Sequence, residues 1–222
     1  MRDPVKEAVG VWAAVIAGLA LVEVLGLLVP VVRSLVGALA VAAFLYVPAR
    51  VLERRGQDAH DAGWRFDRLG ADLLWSLGAC ALVLPLFTLA FWQFPAWLSA
   101  MPSALERLLA PYAGTVHSLR IPLTWDFAGR VAGNAAVAFS EEFFYRGYLT
   151  LRFEERWGPV RSALVVAALF ALGHLLEPAP WRLAVFFPAL LFAFLRNRTR
   201  TVVGASIAHF LSNVWLLILE GS

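Results

Sequence analysis

The sequence predicts an all-α fold, a polytopic transmembrane helical bundle of about seven spans, and three observations carry that reading. The 222-residue chain is 60% hydrophobic with a mean hydropathy of +0.71. Only 16% of its residues are charged, against roughly 25% in soluble domains. Its apolar stretches recur at about the 20 residues a helix needs to cross the hydrocarbon core of a bilayer. A pI near 9.5 is compatible with nucleic acid, but the basic residues cluster at the ends of apolar stretches and not along a groove-sized face, so they read as membrane anchors. The single cysteine, Cys80, excludes an intrachain disulfide. The length fits one integral membrane domain over residues 1–222.

Residues 8–32 form the first apolar stretch, preceded by Arg2 and Lys6 and too long for a signal-peptide core. Residues 34–52 follow after little more than Arg33, which predicts an antiparallel helical hairpin. The segment 53–70, with Arg54, Arg55, Arg65 and Arg68 beside Gly56, Asp58, Asp61 and Gly63, reads as a loop. A third helix covers about 71–95. Residues 96–125 hold Pro102, Pro111 and Pro122 with Trp97, Tyr112 and Trp125, the pattern of an interfacial segment with a short helix near 103–110. Helices are then predicted over 127–151, 159–176, 181–195 and 201–219. The sixth of the seven spans has the shortest apolar core, Leu183 to Leu195 with Pro188 inside, and is expected to be either kinked or partly shielded by its neighbours. Trp97, Trp125, Trp157 and Trp181 read as interface anchors, and His60 and His117 as solvated loop residues. Basic residues concentrate in the N-terminus, the 50–68 loop, Arg152, Arg156, Arg161, Arg196, Arg198 and Arg200, which puts the N-terminus in the cytoplasm.

Several ionisable and amide side chains lie inside the late apolar stretches, where a charged residue costs roughly 2.5 to 3.5 kcal/mol on insertion scales. Residues four apart share a helical face, so Glu142 and Arg146 can pair, while Glu141 points elsewhere and aligns with Asn134, Ala138 and Tyr145. Phe170 stands one turn before His174, and Ser206, His209 and Asn213 form a polar stripe on the last span. Neighbouring helices that bring these groups together enclose a small wet cavity. A carboxylate helped by an imidazole can take a proton from water there, and a second imidazole with a carboxamide can stabilise an oxyanion, without a serine or cysteine nucleophile. Glu23, inside the first span, has no assigned role.

The order Glu-Glu-x-x-x-Arg (141–146), Phe-x-x-x-His (170–174), His-x-x-x-Asn (209–213) resembles the CPBP family, which includes CAAX prenyl proteases of the Rce1 type and bacteriocin-processing and immunity proteins. The resemblance covers about residues 127–219, and residues 1–126 carry no recognised motif. It implies an intramembrane endopeptidase with Glu141 as water-activating base, His174 as its partner, His209 and Asn213 at the oxyanion, and Glu142 and Arg146, with Tyr145 and Phe170, supporting the site or contacting substrate. It implies no cofactor. The chemical rival is zinc on Glu141, His174 and His209. The rivals from other classes are a proton-coupled transporter and a non-catalytic immunity or scaffold protein. The expected partners are the lipid bilayer and a membrane-bound protein or peptide, with removal of a C-terminal anchoring or sorting segment as one expected outcome of cleavage, and no nucleic acid. The Ala-, Arg-, Leu- and Val-rich composition points to a bacterial inner membrane.

Overall fold

The computed structural model describes residues 3–110, 121, 123–176 and 180–220, which are helical with no strand among them. Helix α1 (Pro4–Leu28) begins where Asp3 accepts hydrogen bonds from the Val5 and Lys6 amides, with Pro4 in the first helical position. That cap, invisible to an apolar count, moves the start four residues ahead of the expected one. Helix α2 (Pro30–Glu53) follows after Val29 alone, so Arg33 lies inside α2 and not between the helices. The hairpin is tight enough at Gly26 that an added Cβ would lie 3.1 Å from the Arg33 Cα.

Helix α3 (Leu69–Ser99) exceeds its expected length and carries Pro85 and Pro95 within it. The short α4 spans Ser103–Leu109, as expected within 96–125, and Pro111, Tyr112, His117, Arg120 and Pro122 lie outside the described residues. Helix α5 (Trp125–Glu142) runs directly into a π-helical turn, Phe143–Leu149, and then into α6 (Thr150–Gly173). The two spans expected at 127–151 and 159–176 are thus joined without a loop, and the reversal is made at Gly158, whose φ of 72° suits glycine, followed by Pro159. Short 3-10 turns at His174–Leu176 and Pro180–Val185 lead to α7 (Phe186–Thr199), and α8 is Val203–Glu220. Pro188 does not kink α7. It falls in the first turn, where its missing N–H has no intrahelical acceptor to lose.

Pro4–Leu28, Pro30–Glu53, Leu69–Ser99 and the run Trp125–Leu176 are long and apolar enough to cross a membrane, and Val203–Leu219 is a shorter apolar helix. Large hydrophobics such as Leu27, Leu74, Leu82 and Trp92 are more than half exposed, which suits a protein whose outer surface meets lipid. The chain is an integral membrane protein.

The basic segments grouped from the sequence do meet at one end of the bundle. Glu7 of α1 pairs with Arg55 at 3.0 Å, Arg152 hydrogen-bonds Gln57, and Arg196 pairs with Glu154 at 2.6 Å. The hydrogen bond that Arg55 donates to Glu7 raises the pKa of the guanidinium above its ordinary value. The 54–68 loop is tied down as well, since the Val202 amide donates to the Gly63 carbonyl at 2.9 Å. An added Cβ at Gly147 would lie 3.0 Å from the Ala62 carbonyl oxygen, so the loop sits flush on the π-helical turn. Trp157, expected as a lipid-interface anchor, is half-buried and stacks on Phe153 with rings 4° from parallel. Trp97 and Trp125 are exposed, as anchors should be, and the side chain of Trp181 lies outside the description.

Candidate active site

The site is assembled where α5, the π-helical turn, the end of α6, α7 and α8 meet. Glu142 is fully buried at the end of α5, and its Oε1 accepts two hydrogen bonds, from Arg146 NH1 at 2.8 Å and from His209 Nδ1 at 2.9 Å. Arg146 is also fully buried. Its NH2 donates to the Ala189 carbonyl of α7 at 3.0 Å, and its guanidinium carbon lies 4.5 Å from the Phe170 ring centre and 5.3 Å from that of Phe192. The pair links the end of α5 to the wide π turn that holds Arg146, a helical irregularity that recurs at functional sites. Thr150 closes that turn by donating to the Tyr145 carbonyl at 2.9 Å.

A carboxylate can only accept, so His209 Nδ1 carries the proton toward Glu142. His209 Nε2 consequently faces Glu141, whose Oε2 is 3.8 Å away. That gap exceeds a direct hydrogen bond and leaves room for a water oxygen or a reacting group to bond to both. Glu141 keeps a 14% exposed side chain while Glu142 has none. One carboxylate therefore organises the interior, and its neighbour in sequence faces the accessible side. The His209 ring is clamped by Phe192, stacked at 4.8 Å, and by Phe170, edge-on at 5.8 Å.

His174 occupies the first position after α6 and is half-buried. Its Nδ1 lies 2.9 Å from the Phe170 carbonyl, an acceptor, so Nδ1 bears the hydrogen and Nε2 keeps its lone pair. The Phe170 ring is 4.5 Å from that of His174 and is shared with His209 and Arg146. Tyr145 packs on Phe170 at 5.0 Å. Asn213 follows His209 by one turn, is half-buried, and makes no side-chain hydrogen bond among the described residues. Ser206, the remaining member of the α8 stripe, is satisfied by the Val202 carbonyl of its own helix. Asn134 likewise donates to the Arg130 carbonyl, so neither joins the site directly.

Three features escaped the sequence. The bond from His209 to Glu142 joins two motifs that had been assigned separate tasks. The Ala189 carbonyl is a backbone acceptor, which no side-chain pattern announces. Phe192 lies one turn beyond Ala189 on α7, the span with the shortest apolar core; its aromatic spacing there was the available signal.

Gly173 gives a direct packing test. An added Cβ would stand 2.8 Å from the Tyr145 hydroxyl and 3.3 Å from Ile16 Cδ1, with the Tyr145 ring itself buried. Gly173→Ala should lower stability by about 1 to 3 kcal/mol, read as a fall in Tm in detergent.

Residues 123–215 match the family model described as type II CAAX prenyl endopeptidase Rce1-like. No curated protein and no solved structure matches the chain. The matched segment contains the whole of α5 through α7 and the Glu141–Asn213 constellation, leaving α1 to α4 outside it. Over residues 123–215 the chain is thus similar to the Rce1-like endopeptidases.

Proposed function

We propose that the protein is an intramembrane endopeptidase that hydrolyses a peptide bond of a membrane-bound protein or peptide with water activated by Glu141. The observation that carries this reading is the 3.8 Å gap between Glu141 Oε2 and His209 Nε2, with the Phe170 ring packed against both His209 and His174. In this scheme Glu141 takes the proton of the attacking water, assisted by the bare Nε2 of His174. Asn213, and His209 through Nε2–H when its ring is doubly protonated, donate to the oxyanion as the carbonyl becomes tetrahedral; on its collapse the C–N bond breaks and Glu141 passes the water's proton to the leaving amine. Glu142 accepts from His209 Nδ1 and so orients the ring, and Arg146 balances the charge of Glu142 in the dry interior. Substrates are peptides or C-terminal anchoring segments in the bilayer, and the orientation that fits the basic end is N-terminus cytoplasmic in a bacterial inner membrane.

The test is cleavage in proteoliposomes. Wild-type protein should cut a membrane substrate, and His174→Ala should be present at normal level yet inert. Full activity of His174→Ala would remove the assigned partner of Glu141.

Zinc on Glu141, His174 and His209 fits this arrangement poorly. A tetrahedral site needs its ligand atoms within about 3 to 3.5 Å of one another. Among the described residues the one cluster with three ligand atoms within 4.8 Å is Asp58, His60 and Asp61, exposed and remote in sequence. Cleavage should therefore survive a strong chelator within about twofold. Loss of activity on chelation, restored by zinc, would replace this mechanism with a metal one. A transporter is disfavoured by the absence of any internal repeat in the sequence.

A further inference from the structure

We infer that α3, which lies outside the family match, is a clamp on the back of α8 and that Asp72 and Thr88 are positioning residues for His209 and Asn213. The inference rests on the proteolytic reading for its kinetic consequence. Three contacts eight residues apart on α3 grip α8 in register. At the first, buried Asp72 accepts from Thr201 Oγ1 at 2.6 Å, and Gly204 approaches so closely that a Cβ would lie 3.0 Å from Asp72 Oδ1. At the second, Cys80 Sγ lies 3.9 Å from the Ala208 carbonyl. At the third, Trp215 Nε1 donates to Thr88 Oγ1 at 2.8 Å, while that hydroxyl donates to the Leu84 carbonyl at 2.8 Å.

The gripped residues share one face. At 100° per residue, Gly204, Ala208 and Trp215 fall within about 40° of one another, and the stripe of Ser206, His209 and Asn213 is centred about 150° away. Holding α8 by that rear face aims the stripe toward α5 and α6. The last pin stands only two residues beyond Asn213, so it sets the rotation of the helix where the side-chain amide must point. Thr88 and Trp215 have no part in the chemistry, which makes their hydrogen bond a clean probe of orientation.

The experiment compares Thr88→Val, Trp215→Phe, the double variant and Thr88→Ser in proteoliposomes with a cleavable membrane peptide. Thr88→Val should lower kcat about 5- to 20-fold with KM within twofold. The double variant should be no worse than the poorer single one, and Thr88→Ser, which keeps the hydroxyl, should restore kcat. A second readout needs no substrate. With Cys80→Ala as background, the pair Glu141→Cys and His209→Cys is bridged by a short bis-thiosulfonate linker, and Thr88→Val should cut the yield several-fold while Thr88→Ser recovers it. An unchanged kcat, equal loss in Thr88→Ser, multiplying losses in the double variant, or an unchanged cross-link yield would overturn the clamp. If the proteolytic reading is wrong, the wild-type protein cuts nothing while the cross-link still responds to Thr88.

Discussion

Glu141→Gln should abolish hydrolysis while leaving a folded protein. The substitution keeps the size of the side chain and removes the one group at the site that is both acidic and accessible: Glu141 is 14% exposed, whereas Glu142 is sealed and occupied by two donors. Loss of a positioned general base costs roughly 10²- to 10⁴-fold, and with no serine or cysteine assigned as nucleophile, no other group takes over the proton. Because Glu141 makes no hydrogen bond shorter than the 3.8 Å contact to His209 among the described residues, Tm should move by only a degree or two. A kcat for Glu141→Gln within tenfold of wild type would transfer the base to another residue. Glu142→Gln separates the neighbours, since it should weaken His209 placement and stability together.

Removing Arg146 should have the largest effect on stability. Arg146→Leu strands the Glu142 carboxylate beside His209 and gives up the bond to the Ala189 carbonyl that ties the π turn to α7. Breaking a buried ion pair from one side costs about 3 to 5 kcal/mol, a large share of the 5 to 15 kcal/mol typical of folded proteins. Accumulation in the membrane should fall sharply. A paired change, Glu142→Leu with Arg146→Leu, removes both charges and should recover much of the folded yield without recovering activity. If Arg146→Leu alone accumulates and melts like wild type, the pair is not what holds the helices together. The buried Glu142 Oε2 and Arg146 Nε have no hydrogen-bond partner among the described residues, so the pair is incompletely satisfied. Its retention in the interior is better explained by the orientation of His209 than by stability.

Much of this arrangement can be read from residue order, and the reasons it stops are physical. The helices were legible because crossing hydrocarbon demands about 20 apolar residues at a time, and the polar exceptions Glu141, Glu142, Arg146, His174, His209 and Asn213 stand out against that background. Helix ends were less legible, because Asp3 and Pro4 act through a cap that hydropathy ignores. The continuity of α6 across residue 158 is hidden because Gly158 and Pro159 look like a loop, while the helical hydrogen bonds resume at once on either side of one residue with positive φ. The pairing of Glu142 with Arg146 follows from spacing along one helix. That of Glu142 with His209 spans 67 residues and depends on how α8 is rotated, which motif spacing does not encode and which the contacts of α3 supply.

The most direct test of the account is cleavage of a membrane peptide by the reconstituted protein in H₂¹⁸O with chelator present, followed by mass spectrometry of the products. The account predicts a single internal cut, one ¹⁸O in the new C-terminal carboxylate, and no product from Glu141→Gln. An intact peptide with correctly folded wild-type protein, or equal product from Glu141→Gln, would contradict it.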